Sequence, residues 1–394
     1  MILPALNNIL SIFQIQKVII NKNYWVQSPL WDFFWLHSAV WLGLLIFAFR
    51  NQPALEIFYM AGVFLLWISH RISSFYIAWG TRSYSSVRAS HPWRFVIFPA
   101  LLVLSVFVLL FIPENVLPVS VPVRILGLML LDFFWGMHHF AAQHYGILRL
   151  LELRANPSNA HSSRLNDRLF CWVIGFFLVL IAELLQGASF LQQEQLLPVI
   201  QHHWDNEIIH VFLRIGTLLV FVITTIMIRN AFLQNSGIPR ILYILGLGIM
   251  VIGAFELHPF EFLMLWTLQH WITALGMTSK MGGNDIKKNI TVKNRIFNIS
   301  SFSGYQNQWI VLFSLCSISV ILTPFFEIEA VSSGGRYSEL IFPSLIFWLE
   351  NSSWVTILVG VGLATGFLHY LMDRAVYRLS DAETRKSFNN LMFS

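Results

Sequence analysis

The segment Trp93–Ile112, WRFVIFPALLVLSVFVLLFI, holds one charge in twenty residues. Coiled into a helix it is about 30 Å long, the thickness of a bilayer's hydrocarbon core. Water offers such a helix no favourable surface, so the chain either places it in lipid or buries it whole. Burial fails as a general solution, because further stretches share this character, near 29–49, 54–80, 122–148, 168–190, 208–232, 240–256, 259–279, 307–326 and 341–373. Charged residues make up 11% of the chain and hydrophobic ones 56%. A typical soluble domain carries about 25% charged residues, so there is too little charge here to coat a soluble surface. The sequence predicts an all-α integral membrane protein, a polytopic bundle of about ten transmembrane helices.

Basic residues orient the bundle. Arg82, Arg88 and Arg94 follow the second segment, and Arg149, Arg154, Arg164 and Arg168 the fourth. Arg229 and Arg240 flank the turn after the sixth, and Lys280, Lys287, Lys288, Lys293 and Arg295 follow the eighth. Arg374, Arg378, Arg385 and Lys386 follow the tenth. The alternate connections carry Glu194, Asp205, Glu207, Glu327, Glu329 and Glu339, with Arg336 against them. An even number of spans with both termini in the cytoplasm satisfies this asymmetry, and the inner (cytoplasmic) membrane of a bacterium is the expected location. Residues 1–28, with Lys17 and Lys22, read as an amphipathic segment on the membrane surface and lack the small-residue cleavage site of a signal peptide. Residues 29–379 then form a single transmembrane domain, with a polar, basic cytoplasmic loop near 280–306 and a cytoplasmic tail over 380–394.

Two cysteines, Cys171 and Cys316, both within apolar runs, exclude a disulfide scaffold and a thiolate-ligated zinc or iron–sulfur site. The net charge of +5 is spread over loops, which speaks against nucleic acid as a partner. Thirteen histidines are the polar excess, and the orientation gives many of them a common depth. His70 lies twelve residues before Arg82, His139 ten before Arg149, and His270 ten before Lys280. At 1.5 Å per residue these three sit about 15–18 Å above the inner basic girdle. His138 shares the level of His139, while His144 and His369 stand five residues above the girdle at Arg149 and Arg374. His37 enters from the cytoplasmic start of the first segment. Seven histidines on five segments thus fall in the inner half of the bilayer, where an ionisable side chain is costly and usually faces a functional interior.

Neutral imidazole is the commonest metal ligand, so a convergent metal site is the economical reading. His37, His70, His138, His139, His270, His369 and Asp373 are the candidate ligands. His369 and Asp373 are four apart and share a helix face. Asp132, His139 and Gln143 share a face of the fourth segment, and Asp132, Gln143 and His144 are read as partners that orient the ligands. A donor set dominated by nitrogen, with a few carboxylates, suits iron, in one or two ions, with zinc or copper as further possibilities. A second group on the outer side joins His202, His203 and Asp205, in a wet loop that needs polar residues in any case, with Glu256 of the seventh segment.

The leading expectation is a membrane-embedded non-haem iron oxygenase or oxidase. Its substrate is lipidic or otherwise apolar, it works near the cytoplasmic leaflet, and an electron-donor protein serves as partner. In chemistry, though not in sequence, the pattern resembles the histidine-rich membrane desaturases and hydroxylases. Their boxes are HxxxH and HxxHH, whereas this chain has HHxxxxH at His138, His139 and His144, so none of their residues carries over. Alkaline ceramidase-like zinc hydrolases are a second chemical likeness, also without a matching motif. The rivals are therefore an intramembrane zinc hydrolase of lipids, a haem-b electron-transfer protein and a transporter with a histidine relay.

Overall fold

A computed structural model describes residues 24–50, 52–156, 163–185, 206–293, 304–326, 342–350 and 354–393, and these contain helices and no strand. In chain order the helices are α1 (Pro29–Trp35), α2 (Ser38–Ala48), α3 (Pro53–Gly80), α4 (Ser85–Ser90), α5 (Trp93–Phe111), α6 (Val121–Ala155) and α7 (Arg164–Leu185). They continue with α8 (Asn206–Leu233), α9 (Ile238–Glu256), α10 (Pro259–Lys293), α11 (Gly304–Phe326), α12 (Pro343–Glu350), α13 (Val355–Val376) and α14 (Ala382–Met392). Proline opens the first turn of α1, α3 and α9, where its missing N–H has no helical partner to lose. The Ser28 hydroxyl accepts the Trp31 N–H at 3.2 Å and caps α1. Helix α3 is interrupted twice by π-helical turns, at Val63–Trp67 and Tyr76–Gly80.

Among the described residues, eight helices are long and apolar enough to cross a membrane: α3, α5, α6, α7, α8, α9, α11 and α13. The pair α1 and α2, bent by 59°, makes a ninth if it counts as one span. The sequence pattern expects ten, and the differences have local causes. The first segment is broken at Leu36–His37. The last keeps one span in α13, with the short α12 set off before it. The eighth is fully helical as part of α10, but its Gln269, His270, Thr273, Thr278 and Ser279 are all buried, so polar residues turned inward dilute its apolar character. Elsewhere the outward faces are apolar, as with Phe47 at 76% and Phe347 at 70% exposure, which suits a hydrocarbon surround.

The helices form two compact units. The first comprises α1, α2, α6 from Phe140 onward, α7, α8, α9 and α10 up to Gln269. Within it α8 and α9 meet through small residues. A Cβ on Gly216 would stand 2.2 Å from the Phe255 ring, and one on Gly248 2.6 Å from Thr224. A buried ionic cluster ties the basic ends of this unit together. Arg240 Nη2 donates to Asp167 Oδ1 at 2.5 Å, its Nε lies 3.2 Å from Glu152 Oε2, and Arg149 Nη1 donates to Asp167 Oδ2 at 2.9 Å. Two cations and two carboxylates leave the cluster neutral, the condition under which buried ions persist.

The second unit comprises α3, α4, α5, α6 up to His139, α10 from His270, and α11 to α14. Its apolar core joins Val106 and Leu110 of α5, Leu128 of α6, Ile346 and Leu349 of α12, and Val359, Leu363 and Phe367 of α13. Half of the expected 280–306 loop is helical here, because α10 runs on to Lys293. Tertiary bonds hold its polar residues: Asn284 Nδ2 donates to Leu391 O at 2.6 Å, and Asp285 accepts the Arg82 and Ser83 N–H groups at 3.1 Å each. The 380–394 tail is likewise folded. Asp381 caps α14, and Phe388, Leu391 and Met392 are buried. The amphipathic segment expected over 1–28 lies almost wholly outside the described residues.

Candidate metal centre

The second unit gathers chemistry-bearing side chains from four helices. Helix α3 brings His70, Arg71 and Ser74, α6 brings His139, α10 brings His270, and α13 brings His369, Tyr370 and Asp373. His70 and Ser74 stand in the regular stretch Ile68–Phe75 between the two π-helical turns. Each such turn inserts an extra residue and re-aims the face beyond it, a device common at functional sites. His369 and Asp373 stack one turn apart on α13.

The four imidazoles converge. The His70 ring centroid is 4.4 Å from that of His270 and 4.2 Å from that of His369. His139 is 5.1 Å from both His270 and His369. All these pairs meet edge to face. Asp373 closes the group, with Oδ2 at 3.3 Å from His139 Nε2 and 3.7 Å from His369 Nε2. The four rings and the carboxylate are all buried. Two sets of three have donor atoms within 4.8 Å of one another: His70, His270 and His369, and His139, His369 and Asp373. His369 belongs to both. Its Nδ1 lies 3.2 Å from the Ser74 hydroxyl oxygen.

Such a cluster has to be explained energetically. Protonated imidazoles this close repel one another, and neutral ones each present a lone pair that needs a partner. The Nε2 atoms of His139 and His369 both face the one carboxylate oxygen Asp373 Oδ2, while His70 Nδ1 and Asp373 Oδ1 are buried and make no hydrogen bond among the described residues. Each buried polar atom left so costs about 1–3 kcal/mol. A divalent cation removes that cost by accepting the nitrogen lone pairs, and Asp373 offsets part of its charge. Imidazole with one carboxylate is a donor set for iron, zinc or copper rather than for magnesium or calcium. The buried histidines are thus able to hold a metal ion.

The surroundings are aromatic and partly charged. Tyr370 lies over His139 at 4.9 Å between ring centroids, and Trp135 packs on Tyr370 at 6.0 Å and on Phe367 at 5.5 Å. Residue 136 must be small there, since a Cβ on Gly136 would meet the Tyr370 hydroxyl at 3.0 Å. Arg71 is a buried cation beside His70. Its Nη1 donates to Gly362 O at 3.0 Å, and its guanidinium sits 5.1 Å from the Trp67 ring centroid and 5.8 Å from that of Phe326.

Of the residues singled out by sequence, His70, His139, His270, His369 and Asp373 come together. His138 is half-buried and belongs to neither set; the 100° step from His139 turns it aside. Asp132 borders Gly366 with Arg71, its Oδ1 3.2 Å from where a Cβ there would stand. His37, Gln143 and His144 belong to the first unit. His37 occupies the bend between α1 and α2 and is buried, with no hydrogen bond to either ring nitrogen among the described residues. It lines a cavity of about 10 Å³ with His144, Tyr243 and Gln269, and His144 Nδ1 pairs with the Tyr243 hydroxyl at 2.5 Å. Gln143 is half-buried. Of the outer group, His202, His203 and Asp205 lie outside the described residues, while Glu256 accepts the Thr217 hydroxyl at 2.6 Å. Sequence reasoning missed the parts of Ser74, Arg71 and Tyr370. Ser74 carried a usable signal, being four residues from His70 on the same face.

Comparison with protein-family models, curated proteins and solved structures finds no match for the chain.

Proposed function

We propose that the chain is a membrane-embedded, histidine-ligated metalloenzyme that uses non-haem iron, in one or two ions, to oxidise a lipidic or apolar substrate. The observation that carries the reading is the convergence of His70, His139, His270, His369 and Asp373 with several ring nitrogens and a carboxylate oxygen left for a cation. In this reading these five residues are the ligands, Ser74 orients His369, and the span count is completed to ten by α1–α2 and α10 with both termini cytoplasmic. Residues 29–379 then act as one transmembrane domain in a bacterial inner membrane. When bound, iron supplies activation of dioxygen. The balance for a hydroxylation is one substrate C–H, one dioxygen, two protons and two electrons from a donor protein, giving one C–OH and one water.

The chain's own residues do the rest. Tyr370, Trp135 and Phe367 shield the His139 side from water, as an oxidising centre requires. Arg71 fixes a positive charge next to His70 and orients a polar end of the substrate. A haem reading fares worse, because a macrocycle has to lie between its two axial imidazoles and these rings already touch. A zinc hydrolase remains the second reading, since the same donors suit zinc. Elemental analysis with an absorption spectrum separates them. Stoichiometric iron that is lost in His70→Ala and His139→Ala supports the proposal, zinc supports the hydrolase, and protein that takes up neither metal refutes both.

A further inference from the structure

The second unit has another polar feature, a pocket of about 500 Å³ lined by His91, Trp93, Arg94, Arg378, Ser380 and Asp381 among others. It sits at the start of α5, where the chain passes from polar sequence into the apolar run. Arg94 is held in place by bonds from Nη2 to Ala375 O and to the Thr384 hydroxyl, both 2.6 Å, and its buried Nε makes no hydrogen bond among the described residues. Arg378 lines the same pocket and is exposed. Asp381 is the one carboxylate of the lining, and it is already engaged. Its Oδ2 accepts the Thr384 N–H at 3.0 Å and the Thr384 hydroxyl at 2.5 Å. These bonds, helped by His91 and Arg94, hold its carboxyl below the usual range and keep it ionised. Among the lining side chains two arginines stand against one carboxylate, and the neighbouring Glu383 carboxylate is engaged by the Ser90 hydroxyl of the lining.

A second observation points the same way. Trp93 is 64% exposed, and Ile97, Leu101, Leu104, Val108 and Phe111 continue its face up α5, all exposed. That spacing is one stripe along a helix. A cationic pocket at the foot of an outward apolar stripe matches an amphiphile with an anionic head and an acyl tail. The tryptophan stands at the level where indole rings favour the membrane–water interface.

We propose that this pocket binds the phosphate of an anionic phospholipid, headgroup between Arg378 and Arg94 and one acyl chain along the Trp93–Phe111 stripe. The inference rests on α5 spanning a membrane and is independent of the metal centre. A basic side chain near an anionic lipid surface contributes about 1 kcal/mol, so losing one lowers affinity about fivefold.

The test is native mass spectrometry of the full chain in mixed micelles titrated with phosphatidylglycerol or phosphatidylcholine. Wild type is expected to retain phosphatidylglycerol in preference. Arg378→Gln loses that preference about fivefold with an unchanged melting temperature, whereas Arg385→Gln, outside the pocket, keeps it. Equal retention of the two lipids overturns the proposal, as does an equal loss in both variants. Displacement of phosphatidylglycerol by an equal concentration of inorganic phosphate also overturns it, because the site then reads a free anion.

Discussion

Ser74→Ala removes one hydroxyl group and tests how His369 is set. His369 Nε2 faces Asp373 Oδ2 at 3.7 Å, and its Nδ1 lies 3.2 Å from the Ser74 oxygen. If Nε2 is the ligand atom, the proton sits on Nδ1 and donates to Ser74, which fixes both tautomer and ring orientation. Removing such a partner costs metal affinity about 10–100-fold, or about 1.4–2.8 kcal/mol. The stability cost is smaller, about 1 kcal/mol for one neutral hydrogen bond. The assay is competition with a chelator of known affinity, run beside thermal melts of the metal-free protein. Ser74→Thr restores the hydroxyl, so affinity returns, although a methyl group added at a site with 0% exposure costs about 1–3 kcal/mol of stability. Affinity of Ser74→Ala within twofold of wild type refutes the assignment. Tighter binding refutes it differently, by making Nδ1 the ligand for which Ser74 competes.

Other substitutions probe separate parts of the account. His369→Ala removes the residue common to both donor sets and is expected to weaken metal binding by either, whereas His270→Ala and Asp373→Asn each weaken one set; metal retained per chain against a chelator reads the difference. With zinc sites of four ligands holding about 10–16 kcal/mol, each ligand lost weakens its ion roughly 100- to 1,000-fold. Asp167→Asn leaves Arg240 and Arg149 short of a buried counter-charge and is expected to cost about 3–5 kcal/mol, seen as a lower melting temperature with unchanged metal per folded chain. Gly216→Ala pushes a methyl group against the Phe255 ring and is expected to destabilise the α8–α9 packing by about 1–3 kcal/mol; a neutral melt contradicts that close approach.

The membrane character and most helix positions are legible in the sequence because apolar runs and basic flanks are strong, local signals. Depth was legible as well. His70, His139 and His270 share a level by simple counting to the next basic residue, and the structure brings these three rings together. Azimuth was not legible, and His138 shows why. It is next to His139 at the same depth, yet 100° around the helix it joins neither donor set. His37 shows a second limit, since a 59° bend at its position breaks the straight-helix geometry on which depth counting rests. The π-helical turns on either side of His70 shift the register of α3 without any mark in the sequence. Helix α10 reads as a loop beyond residue 280 because its polar residues are stabilised by partners more than a hundred positions away, as Asn284 is by Leu391. The ionic cluster of Arg149, Glu152, Asp167 and Arg240 was scattered over two connections in the sequence and became a unit only through packing.

If the four imidazoles and Asp373 bind a metal ion, the protein's metal content shows it. Protein purified without added metal and without chelator is to be assayed for iron, zinc and copper by elemental analysis, with its absorption spectrum recorded on the same sample. One or two iron ions per folded chain are expected, and their loss in His369→Ala. Folded wild-type protein that holds no transition metal, and takes up none when iron or zinc is supplied, contradicts that expectation.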